Sequence, residues 1–208
     1  MQDSRIVHIV DDDEAVRQSL AFLLSSAGHA VRLYDSATAF LAGLPAVNSG
    51  CVITDIRMPA MTGIELLHEL KAKSCGLPAI VITGHGDIAL AVEAMKAGAV
   101  DFIEKPFDEE AILRAVQSAL DRGSDGEGGD GQLISARLAS LSERERQVLE
   151  GLIAGHPNKT IAYDLGISPR TVEVYRANLM AKMEASSLSE LLRMAIRAKV
   201  SPARRASK

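Results

Sequence analysis

The side chains most able to do chemistry are carboxylates gathered in two short stretches. In CVITDIRMP, residues 51–59, Cys51 to Thr54 form a short apolar and β-branched run suited to a strand buried on both faces of a parallel sheet, and the run ends on Asp55. Ile6 to Val10 is a second such run, broken only by His8, and it stops at Asp11, Asp12 and Asp13. An acid at a strand's carboxyl end faces the crevice where open α/β sheets bind ligands, so it is a chemical candidate rather than a solvated surface charge. Carboxylates converging in one crevice repel and raise one another's pKa unless a cation neutralises them.

The elements around these acids are readable from periodicity. After Glu14, the residues Val16, Leu20, Leu23, Leu24 and Ala27 fall at helical spacing and Gly28 follows as a C-terminal stop, which places the three acids in a βα loop. Further strands are expected at Ala30 to Tyr34, Ala79 to Thr83 and Asp101 to Glu104, with helices over 36–44, 63–73, 88–97 and 108–120. Five βα units predict a doubly wound parallel sheet. Residues 121–131, DRGSDGEGGDG, hold nothing that could bury apolar area and read as a flexible linker.

Beyond the linker the pattern becomes all-helical. Ser142 and Glu145 form a capping box for a helix over 141–154, and Asn158 to Leu165 is a short helix stopped by Gly166. Ser168 followed by Pro169 opens a helix running to Met183. Two helices joined by a short Gly-containing turn match the helix-turn-helix pattern. Ser187 and Glu190 suggest another capping box, before a last helix with Leu188, Leu191, Leu192, Ala195 and Ile196 on one face. The expected organisation is thus a first domain at 1–122, a linker at 123–137, a helical domain at 138–200 and a disordered tail at 201–208.

Charge separates the two halves. Residues 1–122 carry a net −7, residues 123–137 a net −2 and residues 138–208 a net +5, so the second half is the one suited to a polyanion such as nucleic acid. Cys51 and Cys75 form no CxxC pair and have no partnering His, which indicates neither disulfide nor zinc. No apolar run approaches the ~20 residues needed to cross a bilayer, and MQDSR lacks a signal-peptide core. A soluble, cytoplasmic chain without membrane partners is expected.

VDDDE, TDIRMP, VITGHG and DFIEKPF, in that order and each at an expected strand end, resemble the four signature loops of bacterial response-regulator receiver domains. The resemblance implies a flavodoxin-like sheet of order 2-1-3-4-5 and a phosphoacceptor at Asp55. It also implies a Mg²⁺ site made of Asp11, Asp12, Asp55 and the backbone carbonyl of Arg57, in keeping with the octahedral oxygen coordination this ion prefers. Asp13 departs from the commoner pattern, so which two of the three consecutive acids bind metal is open; alignment favours Asp11 and Asp12. Metal-assisted transfer from a phosphohistidine to Asp55 would give an acyl phosphate. Lys105 has the reach and charge for a phosphoryl oxygen, and Thr83 offers a hydroxyl to another. Phe102 resembles the switch aromatic that turns inward when Thr83 moves. The Lys105–Pro106 bond is expected to be cis. His85 and Arg57 either tune the phosphoryl lifetime or are simply exposed.

LSERERQVLEGLIAGHPNKTIAYDLGISPRTVEVYRANLMAKM resembles the LuxR-type DNA-binding domain, a four-helix helix-turn-helix whose second motif helix enters the major groove. Burial of Ile161, Leu165, Val172, Leu179 and Met183 would leave the opposite face for DNA. Family position puts Glu173, Val174 and Ala177 at base edges, and Lys159, Arg170, Thr171, Arg176 and Lys182 at phosphates or groove walls. A dimer reading an inverted repeat is expected.

The whole chain is similar to the FixJ subfamily of two-component response regulators. That resemblance implies a FixL-like sensor histidine kinase as phosphoryl donor, homodimerisation on phosphorylation, promoter DNA and RNA polymerase as partners, and activation of oxygen-regulated nitrogen-fixation genes. It implies no enzyme beyond a receiver promoting its own phosphorylation and dephosphorylation. Two alternatives stand beside it. A phosphatase of the haloacid dehalogenase type also uses a strand-end Asp, but needs a second Asp two residues on, where this chain has Arg57. A DNA-binding regulator that works without phosphorylation is the other.

Overall fold

The computed structural model describes residues 6–44, 47, 49–84, 88–122 and 131–202. His85, the glycine-rich residues 123–130 and residues 203–208 of the expected tail lie outside them. The chain divides into two compact units, Met1–His85 with Ala97–Gly126, and Gly86–Lys96 with Glu127–Lys208.

The first unit is built on a parallel five-stranded sheet of order β2-β1-β3-β4-β5, the order expected. Its strands are β1 (Ile6–Val10), β2 (Ala30–Tyr34), β3 (Cys51–Asp55), β4 (Ala79–Thr83) and β5 (Asp101–Glu104). The helices that follow them in chain order are α1 (Glu14–Ser26), α2 (Ala37–Gly43), α3 (Gly63–Ala72), α4 (Ile88–Ala97) and α5 (Glu109–Arg122), of which α4, except for Ala97, is grouped with the second unit. Every residue of β3 and β4 is buried, as short continuous apolar runs in a doubly covered sheet should be. Alternation then sorts the side chains: Val7, Ile9, Cys51, Ile53, Ile80, Ile82 and Ile103 share one core with Leu20 and Leu24 of α1 and Ile112, Ala115, Val116, Ala119 and Leu120 of α5. Burial pushes the Cys51 thiol up to about 12, so it behaves as a small apolar side chain there.

Local signals end these elements where expected. Asp13 caps α1 by accepting from the Ala15 and Val16 amides, and Gly28 follows the C-cap at φ 88°. Thr62 and Glu65 form a complete capping box on α3.

The second unit contains α6 (Gly131–Ala139), α7 (Glu143–Ile153), α8 (Asn158–Leu165), α9 (Pro169–Met183) and α10 (Leu188–Arg197). The Ser142–Glu145 capping box on α7 is complete, Gly166 closes α8 in the left-handed region at φ 66°, and Ser168 caps α9 with Pro169 in its first turn. Val172, Leu179 and Met183 of α9 and Ile161 of α8 are buried with Val148, Leu149, Leu152 and Leu191, whereas Leu165, expected in the core, is half-buried.

Two expectations are corrected. Residues 131–137 were expected to belong to the linker, but they form most of α6, because Ile134 and Leu138 fall one turn apart and are both buried. Ser187 accepts from the Glu190 amide as a cap should, yet the Glu190 carboxylate returns to the Ser186 amide, so the second box is displaced by one residue. Among the described residues, no helix is long and apolar enough to cross a membrane.

Candidate functional site

Sheet register builds the first site. Val10 is in register with Thr54 on β3, and Asp55 with Ile82 on β4, so Asp11, Asp55 and Thr83 come to one edge of the sheet. Thr83 is in register with Glu104, and the Lys105 amide donates to the Thr83 carbonyl at 2.8 Å, which brings Lys105 to the same edge. Asp11, Asp55 and Lys105 also continue the alternation of Ile9, Ile53 and Ile103, so all three extend one sheet face. The Lys105–Pro106 bond is cis, as expected.

The side chains converge. Lys105 Nζ donates to Asp55 Oδ1 at 2.6 Å and to Asp11 Oδ2 at 3.4 Å, between two carboxylates that are both buried. Asp55 Oδ2 accepts from the Arg57 amide at 2.5 Å, and Asp11 Oδ1 from the Asp13 amide at 2.9 Å. Burial raises the Asp11 carboxyl above its ordinary value, with the Asp55 charge adding to it, against the Asp13 amide and Lys105, which lower it. For Lys105, burial works downward but is outweighed by the hydrogen bonds and charges of Asp55 and Asp11, so its ammonium is held more firmly than usual.

The three consecutive acids divide their roles. Asp11 enters the crevice, Asp12 is exposed at its rim, and Asp13 spends its carboxylate on the α1 cap, which leaves it out of the crevice. Thr83 is buried, with its hydroxyl donating to the Gly84 carbonyl at 3.3 Å, and Phe102 is half-buried in register with Val81.

Two contributors escaped the sequence reading. Arg17 reaches back from α1 to donate to the Asp11 carbonyl at 2.6 Å. Gly63 packs so closely that a Cβ there would lie 2.2 Å from the Asp55 carbonyl oxygen, and only glycine lets α3 begin against the acid-bearing loop. Its signal was the Thr-Gly pair opening α3, readable as a cap but not as a close approach.

The second site lies on α8 and α9. Lys159, Arg170, Glu173, Val174 and Ala177 are exposed and Thr171 is half-buried; Glu173, Val174 and Ala177 share one face of α9. Arg176 and Lys182, expected at phosphates or groove walls, also hold neighbouring helices. Arg176 donates to Asn158 Oδ1 at 3.1 Å, and Lys182 donates to Glu145 Oε2 at 2.7 Å and to the Ser140 carbonyl at 3.4 Å. A buried Glu145 needs a cation, and Lys182, ahead of the Ser142 amide, draws its carboxyl below the ordinary value.

Known proteins resemble both halves of the chain. Residues 7–117 match the family described as the response regulator receiver domain, and residues 139–195 match the luxR family of bacterial regulatory proteins. This chain belongs to the response regulators. Within them it falls in the FixJ subfamily. It is 59% identical to the transcriptional regulatory protein FixJ of Azorhizobium caulinodans, over 98% of this chain and 97% of that one. It is 58% identical to FixJ of Rhizobium meliloti, over 91% and 94%. The crystal structure of full-length FixJ from B. japonicum, 54% identical, superposes with a TM-score of 0.57 over 94% of this chain and 97% of that chain. This response regulator is therefore a two-component transcription regulator with a LuxR-type DNA-binding domain. The phosphatase alternative is set aside with that assignment, since the family is one of transcription regulators.

Proposed function

We propose that Asp55 accepts a phosphoryl group from a sensor histidine kinase and that this modification switches a promoter-binding activity. The observation that carries the reading is the placement of Lys105 Nζ, 2.6 Å from Asp55 and 3.4 Å from Asp11. A nucleophilic carboxylate beside a fixed cation is poised for an incoming phosphoryl oxygen.

A Mg²⁺ ion is the further requirement of such chemistry. Among the described residues no three His, Cys, Asp or Glu side chains are already gathered to hold a metal. The donor set nevertheless fits, because Mg²⁺ is commonly held by one or two carboxylates, with waters and phosphate oxygens completing the shell. Asp11 and Asp55 would be those carboxylates, with Asp12 at the rim and the Arg57 carbonyl completing the protein's share. When bound, the ion neutralises charge on the crevice acids and on the phosphoryl oxygens. In the transfer, an Asp55 carboxylate oxygen forms the new bond to phosphorus, the phosphorus–nitrogen bond to the donor imidazole breaks, and its electron pair stays on that nitrogen. Lys105 exchanges an Asp55 oxygen for a phosphoryl oxygen. The Thr83 hydroxyl turns from the Gly84 carbonyl toward the phosphoryl group, and Phe102 moves inward.

The consequence we propose is homodimerisation and promoter binding. The acceptor lies in the receiver at 1–122, and the DNA-binding domain at 138–200 presents Lys159, Arg170, Thr171, Glu173, Val174, Arg176, Ala177 and Lys182 to the duplex. By similarity to FixJ, the donor is a FixL-like kinase, the activated form engages RNA polymerase, and the targets are nitrogen-fixation genes; the cytoplasm is the compartment for this. The test is incubation with acetyl phosphate and Mg²⁺, followed by intact mass and sizing chromatography. One added phosphoryl mass and a shift to dimer are expected, both lost in Asp55→Asn. A wild-type chain that gains no mass, or an Asp55→Asn variant that dimerises as before, overturns the reading.

A further inference from the structure

The polar contacts between α6 and the end of α9 suggest a role for a residue that lies two positions before the luxR-family match begins. Arg137 Nη1 donates to the Met183 carbonyl at 3.1 Å, and Nη2 is hydrogen-bonded to the Glu184 carboxylate. The guanidinium is largely covered, with only 18% of the side chain exposed, and its buried Nε has no hydrogen-bond partner. A lone surface ion pair would leave an arginine free to wander. Here one planar fork meets two acceptors at the point where a helix leaves its last carbonyls unsatisfied and carries partial negative charge.

Two further features bear on the same place. Glu184 sits at the C-cap of α9 with φ 51° and ψ 38°, a left-handed conformation that favours glycine. A glutamate there is unfavourable for the backbone but supplies the carboxylate that Arg137 binds. The end of α6 is also fastened to α7 and α9 by Arg146 donating to the Leu138 carbonyl at 2.9 Å and by Lys182 donating to the Ser140 carbonyl at 3.4 Å.

We propose that Arg137 is a positioning residue for DNA recognition: by gripping Met183 and Glu184 it fixes the tilt of α9, and so the registry of Glu173, Val174 and Ala177 against base edges. This rests on the reading of α9 as the groove helix. Base readout tolerates little displacement of the reading side chains, whereas phosphate attraction is long-ranged and forgiving. Loss of the grip therefore lowers discrimination between sequences more than it lowers general affinity.

The experiment uses the full chain, with and without acetyl phosphate, and two probes: a duplex selected by the wild-type protein from a random pool, and a scrambled duplex of the same composition. The readout is the ratio of the two affinities, followed as salt is varied. In Arg137→Gln the ratio is expected to fall about ten-fold, the scale of one mismatched base pair. The slope of log affinity against log salt stays unchanged, because no phosphate contact is lost. Arg137→Lys, which reaches one acceptor instead of two, falls in between. Glu184→Gly guards against misfolding as the explanation, since the left-handed backbone favours glycine: the ratio falls while the melting temperature does not. Ratios within about two-fold of wild type in both Arg137→Gln and Glu184→Gly overturn the proposal, given the one-mismatch scale expected. So does a salt slope shallower by about one with both duplexes weakened alike, which would make Arg137 a phosphate contact. A wild-type chain that prefers no duplex over its scramble sinks the DNA-binding reading itself, a result distinct from either.

Discussion

The acidic crevice and the α9 surface are positioned by different means. At the crevice, backbone register does most of the placing. Asp11, Asp55, Thr83 and Lys105 each stand at or just past the end of a strand, and parallel pairing carries them to one edge. On α9, no ladder fixes the functional face. Its position depends on apolar contacts through Val172, Leu179 and Met183 and on cross-helix polar contacts from Arg137, Arg176 and Lys182. A sheet edge therefore gives a site that tolerates little backbone displacement, and a helix held by side chains gives one whose geometry individual side chains can adjust.

The sharpest way to break this contrast is Asp55→Asn. It is expected to abolish phosphoryl uptake while leaving the melting profile close to wild type, read by intact mass and circular dichroism. A fall in stability comparable to a core truncation would mean that the acid also holds the sheet together.

Next in size is Leu179→Ala. A fully buried leucine lost from α9 should cost about 2–5 kcal/mol in urea unfolding. Selected-duplex binding should fall, and phosphoryl uptake at Asp55 should persist. Loss of both activities together would erase the distinction.

Two glycines compare the regions directly. Gly63→Ala forces a Cβ to within 2.2 Å of the Asp55 carbonyl oxygen, so the backbone must move, at about 1–3 kcal/mol and with slower phosphoryl uptake. Gly166→Ala meets open space and suffers only the left-handed φ of 66°, about 1 kcal/mol, with uptake unchanged. Equal effects on uptake would remove the crevice's special sensitivity.

A smaller, pH-dependent effect belongs to the helices. The Glu145 carboxyl is lowered in the folded chain, by Lys182 first and the Ser142 amide second. A depressed acid contributes stability that is present above its ordinary value of 4.5 and is lost as pH falls through the folded value below it. Lys182→Met should therefore flatten the acid limb of the stability curve, measured by urea unfolding between neutral pH and the acid transition. An unaltered limb would show that Lys182 does not anchor α9 through Glu145. Smallest of all, Arg114→Ala removes an exposed pair with Glu110 and should shift stability by no more than about 0.5 kcal/mol.

Much of this organisation is legible in the residue order. Residue periodicity marked the strands, and loop motifs marked the acids, because buried parallel strands are short β-branched runs and their ends have nowhere to hide a charge. Caps at Ser142, Ser168 and Ser187 were as local as they looked, apart from the choice of Glu190's partner. Less legible was α6. Its glycine-rich approach dominates the composition, and the burial of Ile134 and Leu138 shows only once other helices are in place. The helix-to-helix contacts of Arg176 with Asn158 and of Lys182 with Glu145 were hidden for a related reason: a helical cation looks the same in a linear pattern whether or not it meets a partner from another helix.

Residue order alone therefore determined which groups could do chemistry, the parallel βα architecture and the presence of a helix-turn-helix, because these depend on short-range periodicity and on residue types at fixed spacing. Tertiary structure decided the rest. It assigned Asp13 to a helix cap and Asp11 to the crevice, placed Lys105 between two acids, pressed Gly63 against Asp55 and tied Arg137 to the end of α9. Each of these is a meeting of groups brought together only after the chain has folded, and the energy of such a meeting depends on distance and burial, which residue order does not specify.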